Sequence, residues 1–382
     1  MGTTVGVIGA GQLGTYLCQA ASAMGLSTVT LSSSADAPAV QVADNAVIGA
    51  FDDLQAVREL CGLVDIVTYE FEDVPQTTLD ELSKIASTTS LQVFPDPSVL
   101  TLLKNKATQK TWLREQGFPT GDFCICDQDT TVESLTARFG LPFVQKSQTG
   151  GFDGRGVQVI NQGDAGNFWH TASIVEQWVN HETELAVIVA RSTSGVCVSY
   201  PVFEMACSPT NQVLEVATSP AAIGADLEQQ ARALGERIVA ALDGVGLFAI
   251  EMFLTSEGQI LVNEISPRVH NSGHMTIEAH HTSQYTQHLL AISGQTLGDA
   301  QQINPAAMSN VLYEDRMIML CGLPVSRWQH DDQTVVHWYG KTKGVLGRKM
   351  GHITSVADTL NRAKELALTG LASLDKNAPG VI

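Results

Sequence analysis

The chain has 382 residues, with 22 lysines and arginines against 40 aspartates and glutamates, a net charge of −18, and 44% apolar but only 16% charged residues. So acidic a chain repels nucleic acid and anionic membrane surfaces, which are bound by Lys and Arg neutralising phosphates. Its apolar content excludes a disordered chain, and at roughly 100–200 residues per domain it predicts two or three domains.

In chain order, Thr4–Ile8 reads as a strand, Gln12 to about Met24 as a helix and Ser27–Leu31 as a second strand. Further strands are expected at Ala46–Ile48, Ile66–Tyr69 and Leu91–Phe94. Strands alternating with helices predict βαβ units around a parallel sheet. The run Phe94-Pro-Asp-Pro-Ser98 neither continues a helix nor suits a central strand, so a first domain is placed at 1–98. A second, at 99–304, opens with a Lys-rich helical stretch, Leu100–Gln116, and passes through a glycine loop at Thr149–Gly156. Strands follow at Ile174–Trp178, Leu185–Ala190 and Val196–Tyr200, then a helix at about Leu227–Leu242 and strands at Gly246–Leu254 and Gln259–Ile265, an α+β pattern. After Ile303-Asn-Pro305 a smaller third piece, 305–382, carries a strand-like Thr334–Tyr339 and a basic turn. The opening MGTTVGVIGAGQLG lacks the basic region and apolar core of a signal peptide. No apolar run approaches the ~20 residues of a membrane span. Seven scattered cysteines read as reduced, mostly buried thiols, and the expected compartment is the cytoplasm.

Three signals carry chemistry. Gly9-Ala-Gly11-Gln-Leu-Gly14 matches GxGxxG between a strand and a helix, where backbone N–H groups can meet a phosphate. Alone it suggests an NAD-dependent dehydrogenase. The acidic residue that should end the second strand is replaced by Leu31-Ser-Ser-Ser34, with Asp36 a little late, so a ligand-free tight turn stays open. Lys146-Ser-Gln-Thr-Gly-Gly-Phe-Asp-Gly-Arg-Gly156 is a glycine-rich flap with a lysine at its stem, suited to covering nucleotide phosphates; a plain surface hairpin is the alternative. Glu251 and Glu264 lie in apolar strands joined through Ser256-Glu-Gly258, a hairpin that would bring the carboxylates together. Buried carboxylates need a cation, and magnesium bridging phosphates is the natural one, with Asn263 a further oxygen.

The flap, the hinge-like Val175-Glu-Gln-Trp-Val179, the two glutamates and Ser266-Pro-Arg-Val-His-Asn-Ser-Gly-His274 resemble the ATP-grasp superfamily. Together with Glu70-Phe-Glu-Asp-Val74, His337-Trp-Tyr-Gly-Lys341 and Gly347-Arg-Lys-Met-Gly-His352, they resemble within it the N5-carboxyaminoimidazole ribonucleotide synthetase family. The resemblance implies an ATP-grasp fold with an N-terminal Rossmann-like pre-ATP-grasp domain and a small C-terminal domain. It implies carboxylation of 5-aminoimidazole ribonucleotide by ATP and bicarbonate through carboxyphosphate, in a homodimer that uses Mg²⁺ or Mn²⁺. By position, Lys106, Lys146 and Gly151 would meet ATP phosphates, Glu176 and Val179 the adenine-side hinge, and Glu184 the ribose, with Asn263 beside the metal ligands Glu251 and Glu264. The ribonucleotide would be held by Phe152, Asp153 and Arg155 of the flap, Gln76, the turn Gly11, Gln12 and Leu13, and Lys341 and Arg348 at its 5′-phosphate. Arg268, His270 and Lys341 would surround bicarbonate or carboxyphosphate, and Asp153 would accept the amine proton. The family usually has tyrosine where Phe152 stands and often arginine at Lys106. The nearest rival is another ATP-grasp ligase, such as a formate-dependent glycinamide ribonucleotide transformylase.

Two clusters invite plainer readings. His270, His274, His280, His281 and His288 crowd one stretch without HExxH, so the last three are expected in polar surface or capping roles and only His270 at an anion. Lys341, Lys343, Arg348 and Lys349 form a phosphate site against the acidic background, with Lys343 and Lys349 as bystanders. Anion binding would thus fall on about seven of the 22 cations: Lys106, Lys146, Arg155, Arg268, Lys341, Arg348 and Lys110.

Overall fold

A computed structural model describes residues 2–151, 156–208, 213–314 and 321–374. The N-terminal part runs β1 (Thr4–Ile8), α1 (Gln12–Ala23), β2 (Ser27–Ser32), β3 (Asn45–Ile48), α2 (Leu54–Leu63), β4 (Ile66–Tyr69), α3 (Gln76–Thr88) and β5 (Gln92–Val93). Its five strands form one parallel sheet in the order β3-β2-β1-β4-β5, with Ile8 opposite Leu31 on one side and Tyr69 on the other. Ile8, Leu31, Val67 and Leu60 of α2 are fully buried beneath it. The expected βαβ order is therefore present, with Asp53 capping α2 through the Gln55 and Ala56 N–H groups.

The Pro-rich punctuation does not end structure. Asp96 caps a short helix, α4 (Pro97–Leu103), whose first residue is Pro97, and Asn105 caps α5 (Lys106–Glu115). The single helix expected over Leu100–Gln116 is thus two, because the Asn105 carboxamide takes the Ala107 and Thr108 N–H groups and restarts the chain at Lys106. There follow β6 (Phe123–Cys126), α6 (Val132–Phe139), β7 (Phe143–Ser147), β8 (Val157–Ile160) and β9 (Ser173–Gln177), an antiparallel four-stranded sheet ordered β6-β9-β7-β8.

The largest sheet combines β10 (His181–Arg191), β11 (Cys197–Ser199), β12 (Phe203–Cys207), β13 (Leu214–Ser219), β14 (Gly246–Thr255) and β15 (Ile260–Ser266) with β16 (Ala306–Leu312), β17 (Ser326–Asp331), β18 (Thr334–Trp338) and β19 (Lys349–Val356). Its hydrogen bonding runs without interruption from β13 to β16, across residue 304. Helix α7 (Ala225–Ala241) buries Ala231, Leu234 and Ile238 on one face of β10 and β14. On the other face lie α8 (Thr276–Ala279), α9 (Gln284–Ile292) and the N-terminal α1, through Leu13, Tyr16 and Leu17. A last helix, α10 (Leu360–Leu374), covers β16 and β19. One core cluster joins Val5 of the first sheet and Leu17 of α1 to Ile188 and Met308 of the large sheet, so the N-terminal part is packed onto the rest of the chain.

The seven cysteines are free, as expected, but only Cys18 and Cys126 are buried and the other five are half-buried. Burial pushes the Cys18 thiol up to about 12 and that of Cys61 to about 11, which keeps both protonated and unreactive. Among the described residues no helix is long and apolar enough to cross a membrane.

Candidate active site

The β14–β15 hairpin places Glu251 directly opposite Glu264, as the spacing around Ser256-Glu-Gly258 predicts. Both carboxyl groups are half-buried. Burial, then the nearby Glu264 and Glu184 carboxylates, push Glu251 up to about 7. A divalent cation would relieve that repulsion, and the oxygen-only pair suits Mg²⁺ or Mn²⁺, which take their remaining ligands from phosphates and water. Among the described residues no group of three or more His, Cys, Asp or Glu side chains is gathered for a metal, so the fit is to a two-carboxylate site.

Lysines line one side of this pair. Lys106, at the start of α5, lies 3.2 Å from Glu264, and its backbone N–H bonds the Gln148 carbonyl at the flap stem. Lys146 on β7 bonds Asn263 at 2.9 Å and Glu176 at 3.1 Å, while Lys110 reaches Glu176 at 3.3 Å. Burial alone would raise the Glu176 carboxyl, but Lys146 and Lys110 outweigh it and hold it low. Lys110 is itself lowered by burial. Gln109 braces the base of the pair, donating to the Ile265 carbonyl and accepting from its N–H. Val179 is half-buried in the hinge, and its carbonyl lies 3.0 Å from His181 Nδ1. His181 is stacked on Phe253 and stands 3.6 Å from Glu184, so Glu184 faces the same hairpin. Gly150 and Gly151 both take the left-handed conformation where the flap leaves β7. Phe152, Asp153 and Arg155 lie outside the described residues.

The other side of the glutamate pair is the turn after β15. His270 Nε2 lies 3.4 Å from Glu251, and the His270 backbone is clamped by the buried Gln284, which accepts from its N–H and donates to its carbonyl. Asn271 and Asn310 exchange two amide hydrogen bonds, fastening the turn to β16. Arg268 pairs with Glu72 at 2.6 Å. Burial would raise Glu72, but Arg268 overrides it and keeps the carboxyl low. The basic turn arrives from the C-terminal strands. Lys341 is buried and donates to the Lys349 carbonyl at 2.6 Å, and Arg348 is half-buried and bonds the Lys343 carbonyl. Lys343 is exposed, as expected of a bystander. Lys349 is instead buried, and its charge partly offsets the upward push on Glu251. The turn is tied to the N-terminal part by Thr342 donating to Asp36 and by Gln41 bridging Gly340 and Val325.

The glycine signature has a different meaning from the one its pattern suggests. The Glu70 carboxylate enters the turn and accepts the Gly11 and Gly14 N–H groups at the start of α1. A Cβ on Gly9 would lie 2.2 Å from Glu70 Cγ, and one on Gly11 2.7 Å from its carboxylate. The protein's own carboxylate thus fills the place where a dinucleotide phosphate would sit, and Asp36 serves Thr342, not a ribose. Gln12 is half-buried, while the Leu13 side chain is in the core. Gln76 is exposed at the start of α3, its amide bonded to Asp80 and Thr101. The reading of three histidines as surface or capping groups holds for His281 alone. His280 is buried against Tyr200 and Phe203, and His288 is buried with Leu247 N–H on Nδ1 and Thr68 on Nε2. Glu70 and Glu72 were visible only as members of a motif, since nothing local tells which backbone or arginine a glutamate will reach across some 60 or 200 residues of chain.

Comparison with known proteins identifies the family. Family models match as a ribonucleotide synthetase preATP-grasp domain over residues 1–104, an ATP-grasp domain over 111–285, and a phosphoribosylaminoimidazole carboxylase C-terminal domain over 306–366. The N5-carboxyaminoimidazole ribonucleotide synthase of Brucella melitensis is 34% identical over 93% of this chain and 96% of its own. That of Bacillus subtilis is 33% identical over 92% and 91%. Among solved structures, an ADP complex of an N5-carboxyaminoimidazole ribonucleotide synthetase superposes with a TM-score of 0.88 at 32% identity over 98% of both chains. The Aspergillus clavatus enzyme in complex with ADP and 5-aminoimidazole ribonucleotide superposes at 0.85 with 29% identity, over 98% of this chain and 99% of that one. The chain belongs to the N5-carboxyaminoimidazole ribonucleotide synthase family of ATP-grasp ligases.

Proposed function

We propose that this protein forms N5-carboxyaminoimidazole ribonucleotide, ADP and phosphate from 5-aminoimidazole ribonucleotide, bicarbonate and ATP. The observation that carries the reading is the placement of Glu251 and Glu264 between two cationic groups. Glu264 touches Lys106 on the side lined by Lys146 and Lys110, and Glu251 touches His270 on the side that carries Arg268. One side suits the polyphosphate of ATP and the other a small anion, so a γ-phosphoryl group and bicarbonate would meet between them. Glu251 and Glu264 would hold magnesium, which neutralises phosphate charge when bound.

A bicarbonate oxygen attacks the γ-phosphorus and ADP leaves, giving carboxyphosphate. Lys106 and Lys146 balance the charge on the phosphates, and Arg268, held by Glu72, balances that on the carboxyl group. The carboxyl carbon then passes to the ribonucleotide amine, directly or as CO₂: the C–O bond to phosphorus breaks, phosphate departs and the C–N bond forms. Asp153 accepts the amine proton, and Lys341 and Arg348 hold the 5′-phosphate. Three units, 1–98, 99–304 and 305–382, supply these groups in a cytoplasmic homodimer. The resemblance of the whole chain supports that assembly and compartment. ADP release measured with the ribonucleotide in bicarbonate, then in formate with glycinamide ribonucleotide, tests the reading. Turnover only with bicarbonate and aminoimidazole ribonucleotide is expected; turnover with the formate pair would overturn it.

A further inference from the structure

Three buried histidines outside the glutamate cleft form one object. His274, His352 and His337 are stacked face to face, with ring centroids 4.3 Å apart at 6° for the first pair and 4.2 Å apart at 11° for the second. Tyr16 stands edge-on to all three, at 5.6, 5.8 and 5.6 Å. Tyr285 Oη bonds His274 Nδ1, and Tyr339 Oη bonds His352 Nδ1. Glu278, one turn beyond His274, lies 2.8 Å from His337 Nε2. All of these rings are buried.

A metal site is excluded by the arrangement itself. The lone pairs of an imidazole lie in its plane, so rings stacked in parallel cannot converge on one ion. What the stack does join is chain segments. Tyr16 is four residues after Gln12, His274 four after His270, His337 four before Lys341, and His352 four after Arg348. Each ring of the knot therefore sits at the same short remove from a residue assigned to the ribonucleotide, to bicarbonate or to both. The β18–β19 ladder sets His337 directly opposite His352, and the stack extends that pair to His274 and Tyr16, which lie far from it in sequence.

We infer that the His274–His352–His337 stack, with Tyr16, is the positioning device that registers α1, the 268–274 turn and the basic turn against one another. Resting as it does on the functional reading above, this assigns the stack to ribonucleotide and bicarbonate binding and not to ATP binding, because Lys106 and Lys146 are carried by α5 and β7, which the stack does not touch. These are positioning residues, acting through Lys341, Arg348, Arg268 and His270.

The test is steady-state kinetics of His274→Ala and His274→Phe beside the unaltered enzyme, with circular dichroism and thermal unfolding on each. Loss of the ring should raise the KM for aminoimidazole ribonucleotide roughly 10- to 100-fold, the size expected for a misplaced binding group. The KM for ATP should not move, and the phenylalanine ring should restore most of the loss. Should His274→Ala not fold, His337→Ala and His337→Phe pose the same question from the strand that leads to Lys341. Unmoved KM values in a folded alanine variant, equal rises for ATP and ribonucleotide, or a phenylalanine variant as impaired as alanine would each overturn the positioning role. An unaltered enzyme whose ADP release ignores the ribonucleotide would instead refute the functional reading, and the positioning role with it.

Discussion

His288 shows how a single buried side chain can be fully specified. The Leu247 N–H points at Nδ1, which must therefore be the acceptor, and Nε2 carries the proton toward Thr68 Oγ1, 2.8 Å away. A neutral ring satisfies both neighbours and a charged one does not, and burial pushes His288 down to about 4. The unfolded chain takes up that proton near pH 6.5 and the folded chain does not, so stability present above pH 6.5 is lost as the pH falls toward 4. The slope is about 1.4 kcal/mol per pH unit for one such group. His280, also pushed down to about 4, adds a second. Urea denaturation of His288→Gln across pH 4–7 should show a shallower pH dependence than the unaltered protein. An identical slope would contradict the neutral, buried assignment. The sequence stretch around His288 carried no sign of this, because an isolated histidine looks alike on a surface and in a core. The paired glutamates were legible for the opposite reason: two charges inside apolar strands, joined by a short turn, have few places to go.

The element scale divides along the same line. β1, α1, β4, α7 and β14 were readable because β-branched runs and a 3.6-residue apolar period announce them. β16, with its run Ala306-Ala-Met-Ser-Asn-Val-Leu312, was not, since a strand buried on both faces among small residues has no alternation to read. Nor was the break at Asn105, where one carboxamide decides between one helix and two. The β1–α1 turn is the sharpest case. The glycines at 9, 11 and 14 suggest a phosphate at the turn or a turn without ligand, and what the N–H groups of Gly11 and Gly14 meet is Glu70, contributed by the end of β4. Gly9 also has φ +110, so Gly9→Ala combines a strained backbone with a Cβ pressed on Glu70. A loss of roughly 3 kcal/mol or more is expected in chemical denaturation. Gly25→Ala, with φ +73 and open space around it, should lose only about 1 kcal/mol. Equal losses at the two positions would contradict the claim that Glu70 fills the turn.

At the scale of the whole molecule, the net charge of −18 describes the exterior and not the cleft. The cations gather around buried glutamates: Lys106 and Lys146 at the Glu251–Glu264 pair, Arg268 at Glu72, and Lys341 near Glu70. Arg268 is held by Glu72 and Lys106 by Glu264, acids from distant segments, while Lys341 and Arg348 are held by carbonyls of their own turn. The central claim is that bicarbonate is phosphorylated in the cleft and its carbon passed to the ribonucleotide amine. It is tested most directly by supplying ¹⁸O-labelled bicarbonate with ATP and 5-aminoimidazole ribonucleotide and weighing the phosphate released. One ¹⁸O should be carried from bicarbonate into each phosphate, because the bridging oxygen of carboxyphosphate leaves with phosphorus. Unlabelled phosphate formed alongside ADP would contradict the claim.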